Sequence, residues 1–276
     1  MHIHSLHIYP VKSLRGCDVV SVELDELGFV GDRRFMVVDE QGGFLTQRTI
    51  PAMAMVSTAL RETALTLSAE SLGCVSVSLR GEPGATPRPV ALWSERGLLA
   101  EDAGDEVAEW LAHVLGVRCR LVRIGSGFHR RMTGAAARAG DLVSFADAAP
   151  VHITSISSLD DLNCRIHAHG GDPVPMSRFR PNLVIAGGAP FAEDGWTALT
   201  AGGVLLRMDG PTERCAISAI DQHSAQRGVE PLRTLSTFRS VAARNAVCFG
   251  VNCIQESKSG RLSVGDAIAT PSAHVD

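Results

Sequence analysis

Apolar and polar residues alternate over short stretches in the N-terminal part of the chain, and glycines separate these stretches. A period of two predicts strands with one buried face. The predicted strands are Val19–Leu24, Arg34–Asp39, Ala64–Ser68 and Val75–Leu79. Gln41–Gly43 is typical of a hairpin turn leading into a further strand at Phe44–Arg48, and Arg80–Gly84 is predicted to be a loop.

Two stretches have helical spacing instead. Residues 101–116 carry acids at their start, an apolar stripe along their length and Gly116 as a stop signal. The stripe consists of Val107, Trp110, Leu111, Val114 and Leu115. Ser158–Ile166 is predicted to be a second helix with Ser158 as its N-cap.

Short apolar runs in the second half of the chain predict buried strands. These are Val151–Thr154, Leu183–Ile185 and Gly203–Asp209, with a terminal hairpin at Leu262–Ile268. Pro211 and Thr212 are expected to break the third strand, so that Cys215 follows a turn. The pattern as a whole predicts a mainly β chain with a few helices (α+β), built on a barrel.

Composition narrows the classes of protein. The 276 residues are 45% hydrophobic and 20% charged, which is ordinary for one large globular domain or two smaller ones. No apolar run approaches the ~20 residues that span a bilayer, and no signal peptide is recognisable, so we expect no membrane span. Seven scattered cysteines without a C-x-x-C pair favour a reducing, cytoplasmic location. The net charge of −4 argues against broad nucleic-acid binding.

The most informative stretch sets Cys215 directly after Arg214. A neighbouring cation favours the thiolate, the form that attacks electrophiles or binds soft metals, whereas the alternative is a small buried hydrophobic residue. The sequence lacks G-x-S-x-G, G-x-x-x-x-G-K-[ST], G-x-G-x-x-G and H-E-x-x-H, which removes the main support for hydrolase, nucleotide-binding and zinc-protease functions. His2 and His4 would share one face of a strand with His7 on the other, so they do not converge on a metal.

Other polar residues are candidates for holding an anion. Lys12 and Ser13 follow the first predicted strand and can bind a phosphate, while Arg33 enters another strand. Arg180 and Asn182 share parity across a proline and can aim at one ligand. The alternatives are a solvated lysine, a salt-bridged arginine and an arginine packed on loop carbonyls.

A series of motifs runs in one order along nearly the whole chain. They are Tyr9–Ser13, Gly31–Phe35, Phe44–Arg48, Phe145–Pro150, Ser158–Asn163, Phe179–Asn182, Arg214–Cys215 with Asp221, and Val264–Asp266. Together they resemble the MOSC family with its N-terminal β-barrel partner domain, which includes amidoxime-reducing and N-hydroxylaminopurine-reducing proteins. The resemblance implies an N-terminal β-barrel-like domain at residues 1–123 and a MOSC β-barrel at residues 126–272.

The resemblance also implies the molybdenum cofactor (Mo-molybdopterin). Cys215 would be the metal ligand and a catalytic residue, and Asp221 a second catalytic residue that relays protons or, alternatively, anchors a turn. The residues implied to hold the cofactor are Lys12, Ser13, Arg33, Asp147, Ser155, Arg180, Asn182 and Arg214. A family-level association with pyridoxal phosphate is a further expectation.

The implied activity is reduction of small N-hydroxylated compounds such as hydroxylamines, amidoximes and N-hydroxylated bases. Electrons would come from a separate ferredoxin, flavoprotein reductase or cytochrome b5-like protein, because no ferredoxin-type cysteine run is present. The alternative is a carrier of molybdenum cofactor or sulfur without turnover. Ala148, Ala149 and Glu213 depart from the family pattern, and they favour a third interpretation, a degenerate barrel that binds something else.

Overall fold

The computed structural model of the protein describes residues 1–70, 72–81, 87–241 and 246–270. Over these residues the protein is mainly β with three α-helices, so the predicted fold class is confirmed. The helices are α1 (Asp105–Leu115), α2 (Ile156–Ala168) and α3 (Leu232–Phe238). The strands are β1 (His2–Ile8), β2 (Cys17–Val19), β3 (Ser21–Asp25), β4 (Gly28–Phe29), β5 (Phe35–Val38), β6 (Ser57–Leu60), β7 (Ala64–Ala69), β8 (Gly73–Ser78), β9 (Pro87–Leu92), β10 (Glu95–Asp102), β11 (Arg120–Ile124), β12 (Val151–Ser155), β13 (Leu183–Ala186), β14 (Ala198–Ala201), β15 (Val204–Arg214), β16 (Ser240–Val241), β17 (Ala246–Gln255), β18 (Arg261–Ser263) and β19 (Ile268–Ala269).

The largest sheet brings the first strand of the chain among strands from its second half. Its order is β19-β14-β15-β17-β12-β13-β1-β2, with β16 paired to β17. Strands β12 and β13 are parallel, whereas β1 runs antiparallel to β13 with Leu6 opposite Leu183. Ile3 and Leu6 of β1 are fully buried in the same apolar core as Val151 and Ile153 of β12.

Three smaller sheets consist of strands from the N-terminal part, joined by β18 from near the C-terminus, in the orders β5-β11-β10-β9, β18-β3-β4 and β6-β7-β8. The alternation in β7 places Leu65 and Leu67 on one face, and both are fully buried. Helix α1 lies against this core through Val107, Leu111 and Leu115, whose spacing of four residues keeps them on one face. No helix in the described part of the chain is both long enough and apolar enough to cross a membrane.

Two predicted helix starts are wrong. The first helix begins at Asp105, because Glu101 and Asp102 complete β10 and pair with β11. The second begins at Ile156, and its N-cap is Ser155, whose side chain accepts the Ser158 N–H. Gly116 does end α1 in the left-handed conformation, as the sequence predicts.

Three strand predictions also need correction. Strand β15 continues through Pro211 and Thr212 to Arg214, because register shifts in its pairing with β17 absorb the irregularity, so Cys215 follows a strand end. The predicted strand Phe44–Arg48 is reduced to a single bridge from Phe44 to Val38, although the preceding turn is present. Leu262–Ile268 is not a hairpin, since β18 pairs with β3 and β19 with β14. The predicted loop Arg80–Gly84 lies partly outside the described residues.

Candidate functional site

A cavity of about 810 Å³ gathers most of the predicted site residues, although they come from distant parts of the sequence. Eight of them line it: Lys12, Ser13, Arg33, Asp147, Arg180, Asn182, Arg214 and Cys215. The volume lies in the upper part of the range of about 300–1,000 Å³ that is typical of ligand sites. The departures from the family pattern, Ala148, Ala149 and Glu213, line the same cavity.

Lys12 and Asp147 form a contact pair at one wall. The Lys12 ammonium donates to Asp147 Oδ1 and, at 3.0 Å, to the Phe145 carbonyl, while Trp93 Nε1 donates to the same carboxylate at 3.2 Å. Burial would raise the pKa of Asp147, but the charge and hydrogen bond of Lys12 together with the charges of Arg48 and Arg33 outweigh burial and bring the pKa to about 2. Burial lowers the pKa of Lys12, and Asp147 opposes that shift. The carboxylate is therefore ionised at neutral pH.

Two arginines, Arg33 and Arg180, lie against the ring of Tyr9 behind the cavity wall. The centroid of its ring lies 4.6 Å from Cζ of Arg33 and 4.3 Å from Cζ of Arg180. Arg33 donates to Asp32 at 2.6 Å and to Asn182 Oδ1 at 2.9 Å, whereas the Arg180 guanidinium donates to no described residue. Burial lowers the pKa of Arg180 to about 10, and the neighbouring Arg33 charge acts in the same direction. Burial raises the pKa of the Tyr9 phenol to about 12, because it disfavours the charged phenolate.

Arg214 and Cys215 lie together where β15 ends. Arg214 Nη2 donates to the Phe179 carbonyl at 2.8 Å, and its buried Nε has no hydrogen-bond partner. Burial lowers the pKa of Arg214 to about 10. His152 lies beside it, with Nε2 3.5 Å from Arg214 Nη1, and burial first and this charge second hold the pKa of the imidazole well below its usual value. Cys215 Sγ accepts a hydrogen bond from Arg48 at 3.5 Å.

Four residues around the cavity have left-handed backbone conformations although none is glycine. They are Ser13 (φ 66°), Arg33 (φ 49°), Trp93 (φ 56°) and Arg180 (φ 53°). Such a conformation costs about 1–3 kcal/mol for a residue with a Cβ, and it persists only where surrounding contacts fix it. Phe191 and Ala225 share this conformation outside the cavity lining, so the four residues support the assignment of the site but do not by themselves identify it.

Two predicted site residues lie outside the cavity lining. Ser155 is buried, and its Oγ caps α2 by accepting the Ser158 N–H at 3.1 Å. Asp221 accepts the N–H groups of His223 at 3.0 Å and Ser224 at 2.9 Å and pairs with Arg178 at 3.1 Å. Both side chains are therefore committed to local structure, Asp221 to the turn that follows the Cys215 segment.

A buried amide pair connects the two sides of the site behind the cavity. Gln47 Nε2 donates to the Ser13 carbonyl at 2.7 Å, and Gln222 Nε2 donates to Gln47 Oε1 at 2.9 Å. The backbone carbonyl of Gln222 accepts from Arg15 at 2.8 Å. These contacts join the Lys12–Ser13 loop to the segment that begins at Cys215.

The sequence did not assign three residues that border the site. Arg48 belongs to the motif Phe44–Arg48, but the sequence indicated no partner for its side chain. Trp93 lies at the β9–β10 turn, which the alternation did not predict, and Arg48 stacks on its ring with Cζ 4.4 Å from the centroid. His152 sits in a correctly predicted strand, whose continuous burial hides which side chain faces a cavity.

The donor set fits an anionic group better than a bare metal ion. No cluster of three or more His, Cys, Asp or Glu side chains able to hold a metal exists among the described residues. The uncommitted guanidinium of Arg180 and the orphaned Nε of Arg214 instead offer donors to an anion, next to the thiol of Cys215. A metal at this thiol would need its remaining ligands from a bound cofactor.

Comparison with known proteins identifies the family. The description "MOSC N-terminal beta barrel domain" matches residues 1–118, and "MOSC domain" matches residues 140–269. Mitochondrial amidoxime-reducing component 1 of Mus musculus is 32% identical over 248 residues, covering 86% of this chain and 71% of that protein. Mitochondrial amidoxime reducing component 2 of Rattus norvegicus is 30% identical over 286 residues, covering 96% and 82%. Molybdenum cofactor sulfurase of Oryza sativa subsp. japonica is 30% identical over 267 residues, covering 91% of this chain and 32% of that much longer protein. The protein described here therefore belongs to the MOSC family, with the N-terminal beta barrel domain preceding the MOSC domain.

Proposed function

We propose that this protein binds the molybdenum cofactor in the cavity and uses it to reduce N-hydroxylated compounds. The observation that carries the proposal is the meeting of a thiol with arginine donors that lack acceptors inside the described protein. Buried cations are costly unless an anion compensates them. A pterin phosphate is such an anion, and a thiolate is a suitable ligand for a soft metal.

The residues divide into two groups in this proposal. Lys12, Ser13, Arg33 and Arg180 would hold the phosphate and pterin, and Asn182 keeps Arg33 in place through a hydrogen bond of 2.9 Å. Cys215 would hold the metal through sulfur, and Arg214 would donate its free Nε. The first three belong to the proposed N-terminal domain, residues 1–123, and the others to the proposed MOSC domain, residues 126–272.

When bound, the cofactor would supply the chemistry that removes an oxygen atom from the substrate with two electrons. The protein would position the cofactor and the substrate and set the charges around them. Arg48 donates a hydrogen bond to Cys215 Sγ and so limits the directions open to the thiol. Asp147 is ionised and His152 uncharged at neutral pH, so neither supplies a proton from its side chain as a resident acid at that pH. The protons for water and amine formation would therefore enter from solvent.

The electrons would come from a separate protein, a ferredoxin, a flavoprotein reductase or a cytochrome b5-like carrier. The net reaction joins the N-hydroxylated substrate, two electrons and two protons to give the amine or amidine and water. A second candidate is a carrier that delivers the cofactor or its sulfur without turnover. The similarity to proteins named molybdenum cofactor sulfurase favours this candidate, although the chain spans about a third of their length.

The test compares wild type, Cys215→Ala and a control, Cys164→Ala, which changes an exposed cysteine on α2. We expect near-stoichiometric molybdenum and viologen-dependent reduction of benzamidoxime in wild type and the control, and loss of both in Cys215→Ala. Molybdenum without turnover on several N-hydroxylated substrates would support the carrier. Absence of molybdenum from wild type, made in a host that synthesises the cofactor, would refute the reductase and the cofactor carrier.

A further inference from the structure

The cavity extends along β15 well beyond Cys215. Every residue from Asp209 to Cys215 lines it, so β15 forms a continuous floor. Six steps along an extended strand span up to about 20 Å at ~3.3 Å per residue, and the register shifts in β15 shorten this. At the far end of this floor, six residues from Cys215, Gly134 lies against the Asp209 carboxylate and Asn252 pairs with Gly210, and all four residues line the cavity.

The far end carries polar atoms that the described protein leaves free. Asp209 Oδ1 accepts the Ala136 N–H at 2.6 Å, while no described residue donates to Oδ2. Asn252 Oδ1 accepts one hydrogen bond, from Thr212 Oγ1 at 2.9 Å, and therefore has a second lone pair. One carboxylate oxygen and one amide oxygen can therefore accept hydrogen bonds from the N–H groups of a ligand.

Two backbone features aim Asp209 at this position. The register of β15 against β17 shifts between Met208 and Gly210, so Asp209 sits at an irregularity of the kind that redirects a side chain. A Cβ on Gly134 would lie 2.0 Å from Asp209 Oδ2, so the absence of a side chain at that position leaves room for the carboxylate. The Asp209 carboxylate is therefore held in one position at the cavity wall.

We propose that Asp209 and Asn252 form a subsite for a basic, N–H-rich group at one end of an elongated N-hydroxylated substrate whose N–O bond lies near Cys215. This inference rests on the proposed function and adds the substrate class: amidoximes and N-hydroxyguanidines that carry a second cationic group. A carboxylate discriminates such a cation from a neutral group of similar size, because only the cation forms a charge-assisted hydrogen bond with it. Small hydroxylamines would not reach both ends of the cavity.

The test uses molybdenum-loaded protein and two series of benzamidoximes, with para-aminoalkyl chains of increasing length and with neutral hydroxyalkyl chains of equal length. We expect KM for the amine of matching length to be about tenfold lower than for its neutral analogue. Asp209→Asn should abolish this preference, and the asparagine carbonyl can still accept the Ala136 N–H, so the wall itself is retained. Asp160→Asn, which removes a negative charge from the exposed surface of α2, should retain the preference.

Calorimetric titration with the corresponding amidines separates the two proposals, because it needs no turnover. Turnover without any preference for the amines in wild type would overturn the subsite and leave the reductase function standing. An amine preference in amidine binding that Asp209→Asn abolishes, in protein without turnover, would support the subsite and refute the reductase. An equal preference in Asp209→Asn and wild type would overturn the assignment to Asp209.

Discussion

Replacing the buried amide pair behind the cavity tests how the two sides of the site are held together. Gln47 is fully buried and Gln222 is 4% exposed, and together they make reciprocal hydrogen bonds of 3.1 and 2.9 Å. Gln222 Nε2 also donates to the Ile220 carbonyl at 3.1 Å. Gln222→Leu therefore removes the donor of two buried acceptors, Gln47 Oε1 and the Ile220 carbonyl.

The expected loss follows from these two acceptors. A buried polar group left without a partner costs about 1–3 kcal/mol, which gives about 2–6 kcal/mol for the pair. Burial of the leucine offsets part of this, so we expect the free energy of unfolding to fall by about 3 kcal/mol. Gln47→Leu should have a similar effect, because it removes the donor to the Ser13 carbonyl and leaves the Gln222 side-chain amide without its partner.

The double variant distinguishes an interacting pair from two separate sites. Gln47→Leu/Gln222→Leu leaves neither side-chain amide unpaired. Its loss of unfolding free energy should therefore be about 1–2 kcal/mol smaller than the sum of the losses in the two single variants. Equilibrium urea unfolding measures all three, with exposed Gln226→Leu as a control expected within about 0.5 kcal/mol of wild type. Single losses that add within about 0.5 kcal/mol would refute the reasoning.

Three other predictions concern individual site residues. Arg180→Gln should lower the molybdenum content of purified protein several-fold without a large stability loss, because this guanidinium donates to no described residue; unchanged content by elemental analysis would contradict its role. Ser155→Ala should reduce stability by about 1 kcal/mol through loss of the α2 cap, with molybdenum content unchanged; loss of molybdenum at unchanged stability would restore Ser155 as a cofactor contact. Asp147 has a pKa lowered to about 2, so the stability it gains from Lys12 should be complete above its unfolded-state pKa of about 4 and decline as pH falls toward 2. The difference in unfolding free energy between wild type and Asp147→Asn should shrink over that interval, and a constant difference would exclude this linkage.

The pattern of apolar and polar residues predicted those strands and helices whose structure is indicated by their own residues. Strand β7 was recovered because it is half-buried and alternates along its length. Strand β15 was cut short because Pro211 lacks an N–H, and only the bulged pairing with β17 shows how the strand accommodates it. The β9–β10 hairpin was missed because β9 contains two prolines and no clear alternation, so its pairing with β10 rather than its own pattern decides its structure.

The site was predicted by the order of motifs rather than by their individual chemistry. Neither Lys12 nor Arg180 is distinctive alone, and only the fold brings both to one cavity with Cys215. Ser155 was assigned from the resemblance, whereas its hydroxyl is used by the helix that follows it. Arg48 and Trp93 were unassigned because their contact joins a turn and a hairpin that are 45 residues apart in the numbering of this chain, a juxtaposition that no local pattern encodes.

The position of β1 limits how this chain can be recombined with its relatives. A chimaera joined between residues 123 and 126 would insert a β1 from one parent beside a β13 from the other, where Leu6 faces Leu183 and Ile3 faces Ile185. The same junction would separate β3 from its partner β18. A functional chimaera should therefore take β1 to β3 and the C-terminal half from the same parent. Strand pairing, rather than contiguity in the sequence, determines which segments must be exchanged together.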